Sequence, residues 1–311
     1  MPIQHIADTA LITAFARATE SARAHALFKD PLAAAMAGDR GAQLAAETAA
    51  FQTIVDAVGC RTTVIDELLE RTLDQTRATA ALNLAAGLDC RAFRLSLPDS
   101  LKWVDVDSAP VLDYKSQCLG EAPPRCDYEQ VTADLANSAE VAAVVEHLAN
   151  SPRVVVLTEG LLVYLSESQV SQLARYLFSG VNVRAWITDL AGPQALWMMA
   201  RAWGDLFRGA RFQFGPANPK EFFAECGWRE TEFRSSQEEA QRLGRAPNRG
   251  LMNRMVLSAA PARAREELRR LSGVSVLERI DAPVVGSRSA AYPNEDLSSH
   301  RGSLLRLAGR L

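Results

Sequence analysis

The sequence predicts an α/β protein, a doubly wound and mostly parallel sheet behind an all-helical prefix. Three observations carry that reading. Short apolar runs alternate with helical patterns from residue 80 onward. The first run, Ala80-Ala81-Leu82-Asn83-Leu84-Ala85-Ala86-Gly87-Leu88-Asp89, closes in a turn of small residues. About twenty residues later, the spacing of a nucleoside-binding crevice, Lys102-Trp103-Val104-Asp105-Val106-Asp107 forms a second strand that ends in an acid.

The prefix, residues 5–58, is Ala-rich with helical periodicity; Leu11, Phe15 and Ala18 share one face, as do Leu27, Leu32 and Met36. Asp30-Pro31 breaks it, with Pro31 suited to the first turn of the next helix. A third helix carries Thr63–Leu69 toward the first strand, and Arg61 stands just before it. Residues 1–78 are therefore expected to form a helical lid. Strands are expected at Ala81–Ala85, Trp103–Val106, Tyr128–Val131, Val154–Leu157 and Ala185–Leu190, with helices at Glu140–Leu148 and Glu167–Phe178 among those between. Trp228–Phe233 and Arg254–Ser258 read as an antiparallel pair at the edge. The core then spans 79–260. Within it 192–219, rich in Trp, Met, Phe and Arg, is too long for a plain connection and reads as helical cover over the crevice. After a short helix at Arg263–Leu271, residues 261–311 read as a loosely ordered tail.

With 311 residues and a net charge of −3, the composition is that of an ordinary soluble protein and points away from nucleic acid. Five scattered cysteines and four histidines show no metal-ligand spacing, so no metal is expected. No run approaches membrane-span length, and Met1-Pro2-Ile3-Gln4-His5 lacks the basic and apolar parts of a leader, so the expected location is the cytoplasm. There is no GxSxG elbow and no phosphate-binding GxxxxGK[ST] loop, which removes the support for hydrolase and phosphoryl-transfer readings.

The chemistry-bearing positions cluster at strand ends. Small residues Ala85, Ala86 and Gly87 allow close backbone approach, although a plain strand-to-helix turn would look similar. Of Asp105 and Asp107, the strand-terminal Asp107 suits a ribose, with Asp105 left to solvent or a turn. Asp134 can accept from an exocyclic amino group beside the backbone amide and apolar wall of Leu135, or simply cap a helix. Val154–Leu157 delivers Glu159 and Gly160 to the carboxyl end of a buried strand, where ligands bind in such sheets. Tyr164 follows within a turn, and Ser166-Glu167-Ser168-Gln169 caps the next helix.

These runs resemble the leucine carboxyl methyltransferase-like family of S-adenosylmethionine-dependent methyltransferases, its bacterial branch included. The likeness covers Thr9 to Ala260 and rests on Thr9–Leu11, Arg17–Ser21, Leu27–Leu32, Arg61–Thr63, Leu82–Leu95, Trp103–Asp107 and Thr158–Leu165. It implies a seven-stranded Rossmann-like core with a helical lid. Arg61 would clamp the carboxylate of S-adenosyl-L-methionine, the Ala85–Gly87 turn would follow its methionine part, and Glu159 would lie near that end. Asp107 would hold the ribose, and Asp134 with Leu135 the adenine. Tyr164 and Arg17 would face the acceptor as catalytic residues. Two departures stand out: Ala85 replaces the usual first glycine, and Cys90 a usual Thr.

The expected reaction is methyl transfer to a carboxylate of a small molecule, which needs no base. The alternatives are a phenol or enol hydroxyl of a polyketide-like compound, or a catalytically silent cofactor-binding protein. A nicotinamide oxidoreductase would want fingerprint glycines that are missing here.

Overall fold

The computed structural model describes residues 6–49, 51–148, 150–180, 182–203, 212–246 and 261–280. Seven strands form one sheet: β1 (Ala80–Leu84), β2 (Lys102–Asp107), β3 (Asp127–Thr132), β4 (Val154–Thr158), β5 (Val183–Ala191), β6 (Trp228–Ser235) and β7 (Ser272–Arg279). The order is β3-β2-β1-β4-β5-β7-β6. The first five pair in parallel, and β7 runs antiparallel between β5 and β6. The doubly wound, mostly parallel sheet is thus as the sequence predicts, and the first five strand positions agree within two residues.

Alternation along the central strands feeds two cores. Leu82, Val104, Val156 and Trp186 face α6 (Ser138–His147) and α7 (Glu167–Gly180), where Val144, Leu173 and Leu177 meet them. Ala81, Trp103, Val155 and Ile187 face the other way, onto the prefix. Parallel strands covered on both faces read as continuous apolar runs, and β1 and β4 are buried along their whole length.

The prefix consists of α1 (Ile6–Ser21), α2 (Ala33–Ala46) and α3 (Phe51–Thr76). The expected N-terminal helices pack onto the sheet: Val64, Ile65, Leu68 and Leu69 of α3 belong to its second core. One expectation is corrected here. Arg61 lies in the middle of the 26-residue α3 rather than before a helix. The buried positions of α1 include Ile12, Ala14 and Ala16, whereas Leu11, Phe15 and Ala18 are half-buried.

The boundary at residue 260 is also corrected. Past α11 (Ala262–Arg269), Ser272–Arg279 enters the sheet as β7. Val274, Val276 and Leu277 are buried there, so this strand belongs to the core. Its small polar positions disguise it: Gly273 and Ser275 are buried too, because β6 approaches so closely that a side chain at Gly273 would strike the Arg234 carbonyl and the Phe233 ring. An antiparallel pair does stand at the edge, with β7 as the described partner of β6; the expected strand Arg254–Ser258 lies outside the described residues. Of the expected cover at 192–219, α8 (Pro193–Trp203) is described; Met199 faces inward, while Trp197 and Met198 are exposed.

Candidate active site

The carboxyl ends of β1, β2, β4 and β5 open into a cavity of about 510 Å³, within the range of small-molecule sites. Its wall includes Thr9, Thr13 and Arg17 of α1, Arg61 of α3, Ala85–Asp89, Arg91, Asp107, Glu159, Gly160, Tyr164 and Asp189. Eight of the ten residues singled out from the sequence meet there: Arg17, Arg61, Ala85, Ala86, Gly87, Asp107, Glu159 and Tyr164.

Asp134 and Leu135 are not in that wall. They follow the edge strand β3, tied to the neighbouring strand by the Ala133 amide donating to the Asp107 carbonyl at 3.0 Å. Asp134 is exposed and accepts from the Ala136 amide at 2.9 Å, a local turn contact, and Leu135 packs on the first core.

The loop after β1 is held from β2. The Ala86 amide donates to the Val106 carbonyl at 3.0 Å, and the Gly87 amide to Asp107 Oδ2 at 2.8 Å. Asp107 Oδ1 accepts from the Ser108 amide at 2.7 Å. Gly87 has φ +50°, and Ala85 sits at φ +54°, a left-handed conformation that disfavours any residue with a Cβ. Asp105 is corrected from a solvent position. It is 1% exposed and accepts from Lys115 Nζ at 2.5 Å, the Tyr128 hydroxyl at 2.8 Å, Trp103 Nε1 at 2.8 Å and Asn83 Nδ2 at 2.9 Å.

The other half of the site is built from paired strand ends. Thr158 and Thr188 are register partners whose hydroxyls bond at 2.8 Å, and Trp186 Nε1 donates to Thr158 at 2.9 Å. That lock sets the next residues, Glu159 and Asp189, side by side. Arg61 lies across both: Nε donates to Glu159 Oε1 and Nη1 to Asp189 Oδ2, each at 2.9 Å. Asp189 Oδ1 accepts from the Gly160 amide at 2.8 Å. Arg91, 2% exposed, donates through Nη1 to Glu159 and Asp89 and through Nε to Asp66, each at 2.7 Å.

Charge states follow from these contacts. Burial alone would push Glu159 up, but Arg91 and Arg61 outweigh it and hold the carboxyl below its usual range. At Asp189 burial wins, and its carboxyl is raised despite Arg61. Burial pushes the Tyr164 phenol up to about 12, with Arg61 and a hydrogen bond from Thr9 pulling the other way. Arg17 lines the wall but is already committed: Nε pairs with Asp30 at 3.0 Å and Nη2 donates to the Leu88 carbonyl at 2.6 Å.

The sequence profile of the leucine carboxyl methyltransferase family matches residues 10–178. The chain belongs to that family. A relative from Frankia alni, 33% identical over 76% of this chain and 88% of its own length, carries the name of an S-adenosyl-L-methionine-dependent methyltransferase. The tetracenomycin polyketide synthesis O-methyltransferase of Streptomyces glaucescens is 32% identical over 50% of this chain and 55% of its own. A solved DUF574 family protein from Streptomyces avermitilis shares the fold, with a TM-score of 0.56, 12% identity, and coverage of 88% of this chain and 97% of that one.

As in this family, the methyl donor is S-adenosyl-L-methionine, and the residues present fit it. An acid at the end of β2 stands beside a glycine amide, as a ribose requires. Arg91 Nη2 is buried at the site with no hydrogen-bond partner, a donor waiting for an acceptor atom. Sequence reasoning missed Asn83, Asp89, Arg91 and Asp189 as site residues. The first three stood in the motif Leu82–Leu95, where polar and charged residues among apolar ones were themselves a signal. Asp189 near the end of β5 met the same strand-end criterion that selected Glu159.

Proposed function

We propose that this methyltransferase transfers the methyl group to an oxygen, and that the acceptor is a carboxylate on a small molecule with an aromatic or otherwise apolar body. The observation that carries the reading is that none of His25, His147, Tyr164, Glu159 and Asp189 offers the cavity a free base. Neither described histidine, His25 or His147, lines the cavity. Tyr164 is held protonated well above neutral pH. Glu159 and Asp189 have both oxygens engaged by Arg61, Arg91 and the Gly160 amide. An acceptor that arrives ionised needs no proton removed, and a carboxylate is ionised at neutral pH.

When bound, the donor supplies an activated methyl on a positively charged sulfonium. The protein's part is orientation and exclusion of water. Asp107 with the Ala85–Gly87 loop would hold the nucleoside, while Arg61, Arg91 and Glu159 would hold the amino-acid end. Val163, Tyr164, Leu190, Ala191, Met199 and Phe212 give the cavity an apolar and aromatic wall, with the Tyr164 and Phe212 rings 5.7 Å apart. The polyketide context in the name of the Streptomyces glaucescens relative supports an acceptor of that shape. Arg17 is proposed as a brace between α1 and the loop after β1, given its contacts to Asp30 and Leu88.

The test is transfer of labelled methyl from S-adenosylmethionine to matched panels of aromatic carboxylic acids and phenols. The expected product releases its label as methanol in mild alkali, because it is an ester. A label that survives alkali would mean an ether and would replace this reading with hydroxyl methylation.

A further inference from the structure

We infer that the cavity carries a distal acceptor subsite at its β7–β6 end, which takes the uncharged, apolar far end of an acceptor reaching about 10 Å past β5. The inference rests on the placement of donor and acceptor proposed above.

The cavity wall follows the order of the sheet. It takes Asp107 from β2, the Ala85–Gly87 loop from β1, Glu159 after β4 and Asp189 from β5, and it continues past them. Val274 of β7 is the register partner of Asp189 on one side and of Arg234 of β6 on the other, and both Val274 and Arg234 line the cavity. Neighbouring strands stand about 4.8 Å apart, so the stretch from β2 to β5 spans about 14 Å and the stretch from β5 to β6 about 10 Å. A nucleoside at Asp107 and an amino-acid end at Arg61 occupy the first stretch. The second belongs to the same cavity and is left to the other reactant.

Its walls define what that part of the acceptor is. Thr53, Ala57, Cys60 and Val64 recur at spacings of four, three and four, so one face of α3 runs along the cavity. Gly273 and Val274 of β7 and Ala240 of α10 (Ser236–Arg242) complete this end. The charges here answer one another. Arg234 donates to Glu239 at 2.7 and 3.0 Å, Arg245 to Glu20 at 2.6 and 3.2 Å, and Asp56 is met by Arg23 at 2.8 Å. Burial pushes the Cys60 thiol up to about 11, so it is neutral, as are the hydroxyls of Thr53, Ser236 and Ser272. A charged group entering this end finds its possible partners among the described residues already paired, whereas an apolar one is buried against small and aliphatic side chains. The subsite therefore selects for length.

Calorimetric titration of benzoate, biphenyl-4-carboxylate and terphenyl-4-carboxylate into the full chain saturated with S-adenosylhomocysteine tests this, with phenols of the same lengths run beside them. The two longer acids are expected to bind at least about tenfold more tightly than benzoate. Ala57 is exposed and Ala240 half-buried, both on helices, so Ala57→Leu and Ala240→Leu narrow the subsite without opening the core. In each, the longer acids lose most of their gain, while benzoate and S-adenosylhomocysteine stay within about twofold. Equal affinity across the three acids overturns the inference, as does a gain that both variants keep. A second readout needs no variant: 4-benzoylbenzoate, irradiated on the wild-type chain, joins its ketone carbon to a neighbouring C–H. Attachment within residues 53–64, 234–245 or 272–274 is expected, and attachment confined to residues 163–164 and 190–199 overturns the inference. A length effect in the phenols alone keeps the subsite and replaces the carboxylate acceptor with a hydroxyl. Binding in neither series overturns both.

Discussion

The ends of β1 and β2 and the ends of β4 and β5 are built from the same residue types and behave differently. At the first, the acids have partners largely of their own: Asp105 has Lys115, Tyr128 and Trp103, with Asn83 shared with Asp89, and Asp107 has two backbone amides. At the second, Glu159 and Asp189 share two arginines with each other and with Asp89 of the loop after β1. Private partners make a scaffold that holds one geometry. Shared partners leave charge to spare for a ligand, and in this cavity that is the half assigned to the donor's charged end.

The largest expected effect is on the scaffold side. Lys115 and Asp105 are 0% and 1% exposed, so Lys115→Met would strand a buried carboxylate. A stability loss of about 3–5 kcal/mol in urea unfolding is expected. A loss below about 1 kcal/mol would mean that Tyr128, Trp103 and Asn83 alone satisfy Asp105.

Arg61 is the counterpart on the shared side. Its side chain is 28% exposed, so Arg61→Gln is expected to disturb folding little. Cofactor affinity should instead fall about 10- to 100-fold, the worth of a charge-assisted contact. A severe folding defect with unchanged affinity in the surviving protein would reverse the two assignments.

Acid titration sharpens the contrast next. Burial pushes Asp89 up, but Arg91, Lys115 and Arg94 hold it far below the usual carboxylate range, and Glu159 is lowered as well. Depressed folded values give stability that is fully present above the unfolded carboxyl range near about 4 and is lost as pH falls below it. Asp189, raised by burial, works in the opposite sense and offsets part of that loss. Urea midpoints from pH 7 downward should hold and then drop steeply in the acid range, and Arg91→Gln should flatten the drop.

The smallest effect concerns the loop between the two halves. Ala85 at φ +54° sits where glycine is at ease. Ala85→Gly is expected to raise stability by about 0.5–1 kcal/mol, seen as a higher melting temperature. A lower melting temperature would show that the Ala85 methyl is packed well enough to outweigh the backbone conformation.

The same contrast explains what was legible in the sequence. Strand ends that carry one acid after an apolar run are easy to read, so Asp107 and Glu159 stood out, and with them most of the cavity wall. Networks are harder, because they join positions far apart in the chain. Arg61 meets acids 98 and 128 residues away, and no local pattern announces that. Asp105 passed for a solvent residue because its cation, Lys115, comes from the following helix. Strand β7 escaped through its glycine and serines, which are there because β6 crowds it. Asp134 and Leu135 were placed by the rule that serves strand ends in general, yet β3 is the edge strand and the cavity stops over β2.

The most direct measurement is calorimetric titration of S-adenosylmethionine into the wild-type chain and Asp107→Ala. Saturable one-to-one binding, weakened about 10- to 100-fold in a variant that remains folded, is the predicted result. Equal affinity in the two proteins would place the methyl donor somewhere other than the carboxyl ends of β1 and β2, and would contradict the account.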